Sequence, residues 1–232
     1  MMNMNRIWKR TENICLMTLL FVGAAVFGKA TADPHRFDDA IVAFEAIDLE
    51  STPAKGKVLF LGSSSIRRWD TASAFKGIDS LNRGFGGSQI SDSIFFFDRV
   101  VLPYAPSIIV FYAGDNDINA GKTIDQVIAD FRQFARLVNR KLKGTKIVYI
   151  PIKPSISREA LWNDMSVVNK WIQEMSQKQE GLYYADIATP MLATGRPPNA
   201  DLFANDGLHL SDKGNAMWSR VIRPVLEQAL KD

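Results

Sequence analysis

The feature that most constrains the fold is an alternation of short apolar runs with helical patterns. Residues 57–61 (KVLFL), 107–112 (SIIVFY) and 146–152 (KIVYIPI) are almost continuously apolar and rich in β-branched and aromatic side chains. That pattern suits strands covered on both faces, as in a parallel sheet, more than strands with one wet face. Residues 78–82 and 182–187 are weaker strand candidates. Helical spacing marks residues 88–101, 123–142, 158–179 and 211–230, the last with Ser211 as a plausible N-cap. Phe37, Ile41 and Phe44 predict a short amphipathic helix ahead of the first strand. The order β-α repeated five times predicts a parallel sheet with helices on both faces, with ligands bound outside the carboxyl ends of the strands.

The N-terminus is of another kind. Arg6, Lys9 and Arg10 precede an uncharged apolar run at 14–28, and Ala30-Thr31-Ala32 follows. Basic start, apolar middle and small residues at the end predict a secretory signal over residues 1–32, leaving one domain over 33–232 and a secreted or periplasmic location. The run of about 15 residues falls short of the ~20 needed to cross a bilayer, so no stable membrane span is expected after cleavage. The leader holds four of the 28 basic and one of the 25 acidic side chains, so the remainder carries 24 of each. Without a basic excess or stripe, nucleic acid is not an expected partner. The only cysteine, Cys15, lies in the leader, which excludes a disulfide, a thiol nucleophile and a cysteine metal site from the mature chain.

Histidine supply narrows the chemistry. Only His35 and His209 exist, and His35 would lie three residues from the new terminus. His209 occurs in Asp206-Gly207-Leu208-His209, where a turn can bring the carboxylate back to the ring. Taken alone, such a segment also suits a surface turn with a helix cap. Gly62-Ser63-Ser64-Ser65 places three hydroxyls at the end of the first strand, suited to nucleophilic catalysis and equally to capping or phosphate binding. Two further strand-end loops offer hydrogen-bond donors: residues 82–88 (NRGFGGS), whose glycines allow close backbone approach, and Gly114-Asp115-Asn116-Asp117, with an Asn amide.

Together these four segments resemble the SGNH, or GDSL-like, lipase/acylhydrolase superfamily. Gly62-Ser63-Ser64 corresponds to its Gly-Asp-Ser motif, Gly87 to the glycine of its second motif, Gly114-Asp115-Asn116-Asp117 to its Gly-x-Asn-Asp, and Asp206-Gly207-Leu208-His209 to its Asp-x-x-His. The resemblance implies a flavodoxin-like three-layer α/β/α sandwich on a five-stranded parallel sheet. It implies a Ser64–His209–Asp206 triad, with an oxyanion hole made by the N–H groups of Ser64 and Gly87 and the side chain of Asn116. The implied activity is hydrolysis of a small-molecule, lipid or carbohydrate ester: a short acyl ester, a lysophospholipid or an O-acetylated sugar. No cofactor or metal is implied. Ser63 departs from the family's usual Asp, which leaves open which of the three serines attacks, although chain geometry favours Ser64.

Two other readings compete. Asp115, Asp117 and Asp206 could together hold a divalent cation in a phosphoesterase, or the fold could serve an exported binding protein for carbohydrate or lipid. Phe95-Phe96-Phe97, Trp162, Trp171 and Trp218 read as core or its margin, Arg67 and Arg68 as a solvated face, and Tyr112 with the 189–203 segment as a pocket rim.

Overall fold

The computed structural model describes residues 33–232, which belong to one compact unit. The expected signal segment lies outside the described residues. Helix α1 (Asp38–Glu50) leads into strand β1 (Val58–Gly62), short helices α2 (Ser64–Arg67) and α3 (Thr71–Ala74), and β2 (Ser80–Gly84). Helices α4 (Ile90–Phe95) and α5 (Phe97–Val100) precede β3 (Ile108–Tyr112), followed by α6 (Asp115–Asn119) and α7 (Ile124–Lys141). The chain finishes with β4 (Lys146–Tyr149), α8 (Trp162–Ser176), β5 (Leu182–Tyr184), α9 (Ala188–Leu192) and α10 (Asp212–Lys231).

All strand pairs are parallel, in the order β2-β1-β3-β4-β5. From β1 the chain steps outward to β2, then crosses back and proceeds the other way. Right-handed crossovers in opposite directions put their helices on opposite faces. Accordingly α3 packs on α10, whereas α4 packs on α7 and α7 on α8. Every residue of β1 and β3 is buried, as strands covered on both sides require. Because side chains alternate along a strand, neighbours in β3 serve different layers: Phe111 stacks on Phe134 of α7 at 4.2 Å, and Tyr112 meets Trp218 of α10 at 5.1 Å between centroids. Among the described residues no helix is long and apolar enough to cross a membrane.

Some local expectations are corrected. The helix expected at 88–101 breaks at Phe96, because Phe96 and Phe97 both enter the core while Phe95 remains half exposed against the His35 ring. The helix expected from 158 begins only at Trp162, after a 3-10 segment, Ile156–Leu161, with Arg158 in a non-helical conformation. Tyr112 is not on a rim; it is wholly buried. Trp162 and Trp218 are buried and Trp171 is partly so.

Candidate active site

The order reversal lies between β1 and β3, and the crevice outside their carboxyl ends is where this topology binds ligands. Gly62 ends β1 at φ +135°; a Cβ there would sit 1.9 Å from the carbonyl oxygen of Tyr112, so only glycine allows the two strand ends this approach. The Tyr112 carbonyl accepts the Ser63 N–H at 3.0 Å, and the Gly62 carbonyl accepts that of Phe85 at 2.9 Å. The loops after β1, β2 and β3 are thereby tied together by main chain.

The three serines then have distinct surroundings. Ser63 is wholly buried, and its hydroxyl has no hydrogen-bond partner among the described residues. Ser65 is also buried, with its oxygen 3.2 Å from Lys153 Nζ. Ser64, the first residue of α2, is the one that reaches the imidazole: its Oγ lies 2.8 Å from His209 Nε2.

His209 is positioned by a turn stitched to its surroundings. Ala204 N–H donates to the His209 carbonyl at 2.8 Å, Ser211 N–H to Leu202 at 3.0 Å, and Ser157 N–H to Gly207 at 3.1 Å. Asp206 Oδ1 accepts the N–H groups of Leu208 and His209, both at 2.9 Å, while Oδ2 lies 2.6 Å from His209 Nδ1. Burial works against charge on Asp206. Hydrogen bonds from the His209 ring and from the two backbone N–H groups outweigh it and hold the carboxyl well below the usual carboxylate range. An ionised carboxylate can only accept, so the ring proton sits on Nδ1 and the Nε2 lone pair faces the Ser64 hydroxyl.

The proposed donors lie on the neighbouring loops. Gly87 has φ +86° with open space where a Cβ would be, so conformation and not crowding calls for glycine there. Among the described residues nothing accepts from the N–H of Ser64 or of Gly87. Asn116 Nδ2 donates to the carbonyl of Ser88 at 3.0 Å, which anchors it beside Gly87. Its Oδ1 accepts from Arg158 Nη2 at 2.9 Å.

Arg158 and Lys153 are charged residues at the site that the sequence reading did not include. Both follow β4, on the same sheet edge as the other loops, and a lone lysine directly after an apolar strand run was the available signal. Lys153 is wholly buried, held by Tyr112 Oη at 2.9 Å and Asp115 Oδ2 at 3.2 Å. Arg68 is exposed, 3.8 Å from Asp206, and Arg67 lies against Gly86.

The three carboxylates of the alternative cation site do not converge. Asp115 faces Lys153 and Arg158, Asp117 accepts from Lys122 and the N–H of Ile90, and Asp206 faces His209. Among the described residues no three or more His, Cys, Asp or Glu side chains are grouped to hold a metal ion.

Several solved structures share the fold. A GDSL-like lipase from Bacteroides thetaiotaomicron superposes with a TM-score of 0.69 at 18% identity, over 85% of this chain and 98% of that one. A carbohydrate esterase family 3 protein from Talaromyces cellulolyticus gives 0.62 at 23% identity, over 76% and 99%. A catalytic mutant of an acetylxylan esterase from Geobacillus stearothermophilus gives 0.62 at 14% identity, over 75% and 95%. No curated protein matches the chain. The model of one family, however, matches residues 62–217, a span that contains all four motifs. The chain therefore belongs to the GDSL-like lipase/acylhydrolase family.

Proposed function

We propose that this chain is an exported serine esterase in which Ser64, His209 and Asp206 hydrolyse a carboxylic ester through an acyl-enzyme. The observation that carries this reading is the continuous hydrogen-bonded chain from Ser64 Oγ to His209 Nε2 at 2.8 Å and from His209 Nδ1 to Asp206 at 2.6 Å. Those distances are within the reach that proton transfer requires.

In the first half-reaction His209 Nε2 takes the Ser64 proton as Oγ bonds to the ester carbonyl carbon. The carbonyl oxygen becomes an oxyanion, held by the N–H groups of Ser64 and Gly87 and the Asn116 amide. Collapse breaks the bond to the alcohol, which leaves with the proton from His209. Water, deprotonated by His209, then attacks the acyl-enzyme; the acid departs and Ser64 regains its proton. Asp206 keeps the ring in the accepting tautomer and stabilises the imidazolium.

The substrate class is a short acyl ester, a lysophospholipid or an O-acetylated carbohydrate. The solved relatives named as a carbohydrate esterase and an acetylxylan esterase favour the last. Export rests on the pattern of residues 1–32.

An ester panel with acyl chains from acetyl upward, including acetylated xylan, run beside Ser64→Ala, tests the reading. The variant should lose about a millionfold in turnover, and Asn116→Ala roughly 100- to 1,000-fold. A fluorophosphonate probe should label the wild type at Ser64. Turnover by Ser64→Ala equal to wild type would overturn the serine mechanism, and a wild type that neither hydrolyses esters nor reacts with the probe would favour a binding protein.

A further inference from the structure

Behind the loop that carries Asn116 lie three ionisable side chains for which acyl transfer has no direct use. Asp115 Oδ2 is shared by Lys153 Nζ at 3.2 Å and Arg158 Nη1 at 3.1 Å. Lys153 is 1% exposed, Asp115 6% and Arg158 11%. Burial lowers the Lys153 pKa, and burial also opposes charge on Asp115. The facing Lys153 and Arg158 nevertheless hold that carboxyl below its ordinary value. Two cations thus meet one carboxylate, and the cluster keeps one positive charge in surplus. Buried ion pairs are weak stabilisers because desolvation offsets their attraction, so stability gives no sufficient reason for such a group.

The surplus charge has a direct outlet. Arg158 Nη2 donates to Asn116 Oδ1 at 2.9 Å, and Asn116 Nδ2 donates to the Ser88 carbonyl at 3.0 Å. A guanidinium can only donate and a carbonyl can only accept, so one amide orientation satisfies both. That orientation leaves the second Nδ2–H free. A cation on the amide oxygen draws density from it and strengthens the remaining N–H as a donor, since chains of hydrogen bonds polarise one another at low dielectric. The gain is greatest when the acceptor becomes an oxyanion, because charge is what the surplus positive end attracts.

We propose that Arg158 is a positioning residue of the oxyanion hole, fixing and polarising the Asn116 amide while Asp115, itself held by Lys153, keeps the guanidinium in place. This rests on the serine-esterase reading above.

The test is a double-mutant cycle on p-nitrophenyl acetate. Arg158→Gln leaves the Lys153–Asp115 pair intact, so no buried carboxylate is stranded. Its kcat should fall about 10- to 100-fold with KM within about threefold, the sign of an interaction made in the transition state. Asn116→Ala should abolish that sensitivity: the double variant should be no worse than Asn116→Ala within about threefold, because the two residues act as one unit. Arg158→Lys, which retains the charge without the forked geometry, should recover part of the lost kcat. A folded Arg158→Gln with wild-type kcat, or effects that multiply in the double variant, would overturn the proposal. If Arg158→Gln does not fold, Arg158→Lys is put through the same cycle: a smaller loss of kcat is expected, it must vanish in the Asn116→Ala background, and a wild-type kcat or multiplying effects would overturn the proposal. Ser64→Ala, run alongside, separates the failures: turnover there equal to wild type sinks the serine mechanism, whereas an inactive Ser64→Ala beside an insensitive Arg158 sinks only the role of Arg158.

Discussion

Asp206→Asn offers the most discriminating single substitution, because the hydrogen bonds around residue 206 dictate how the new amide must sit. Oδ1 accepts two backbone N–H groups at 2.9 Å, and Oδ2 meets ring Nδ1 at 2.6 Å. In the variant the amide oxygen must take the Oδ1 place, since an NH2 there would face two donors. The NH2 then faces Nδ1, which can only accept it as a bare lone pair, so the ring proton moves to Nε2. There it points at Ser64 Oγ across 2.8 Å and no base remains for the serine. A wrong tautomer of this kind costs roughly 10,000-fold in kcat, or about 5.5 kcal/mol of barrier. Stability should fall modestly, because a carboxylate that the fold favours in its charged form gives way to a neutral amide that keeps the hydrogen bonds. The loss is small because the Asp206 side chain is 43% exposed and its ion pair to Arg68, at 3.8 Å, is solvent-screened. The assay is kcat on p-nitrophenyl acetate beside a thermal melt, with ring nitrogen chemical shifts reporting which nitrogen is protonated. A variant within tenfold of wild-type kcat, or one whose Nδ1 still carries the proton, would refute the tautomer argument.

Two further outcomes test the scaffold. Gly62→Ala forces a Cβ to within 1.9 Å of the Tyr112 carbonyl at φ +135°, where both clashing partners are backbone. Strain of about 1–3 kcal/mol, with one main-chain bond worth about 1 kcal/mol, should lower Tm by on the order of 10 °C, and kcat should fall with it; a Tm within 2 °C of wild type would count against this. Asp117 is wholly buried, and burial raises its pKa from 3.8 to about 6 against the pull of Lys122. A raised native pKa means that its contribution to stability is full below about pH 4 and is lost as pH rises through about 6, a change on the order of 3 kcal/mol. Asp115 and Asp206, whose pKa values are lowered, act with the opposite sign, and only below their ordinary range. Denaturant titrations of Asp117→Asn should therefore show a flatter stability profile between pH 4 and 6 than wild type, and superimposable profiles would dispose of the assignment.

The strands were legible in the sequence because burial on both faces leaves a run such as VLFLG with no polar interruption. Helix ends were legible where a side chain caps them: Thr123 and Ser211 both accept from the backbone three residues on. The break at Phe96 was not, since local periodicity continues through it and only the packing of Phe96 and Phe97 against separate core partners bends the chain. Within the site, Ser64, Asp206, His209, Gly87 and Asn116 stood out because short motifs fix their spacing. Lys153 and Arg158 did not, because their role depends on a carboxylate 38 or more positions away and on an arginine conformation outside the helix that periodicity predicts. Tyr112 was misread for the same reason. An aromatic at a strand end looks like a pocket wall until α10 covers it.

The proposed nucleophile and its base stand 145 positions apart, one just after the first strand and the other just ahead of the final helix. The helix that follows the imidazole, α10, seats Trp218 against Trp69 and Tyr112. Under the proposed mechanism, a polypeptide lacking the residues from 206 onward would hold a Ser64 hydroxyl without a base.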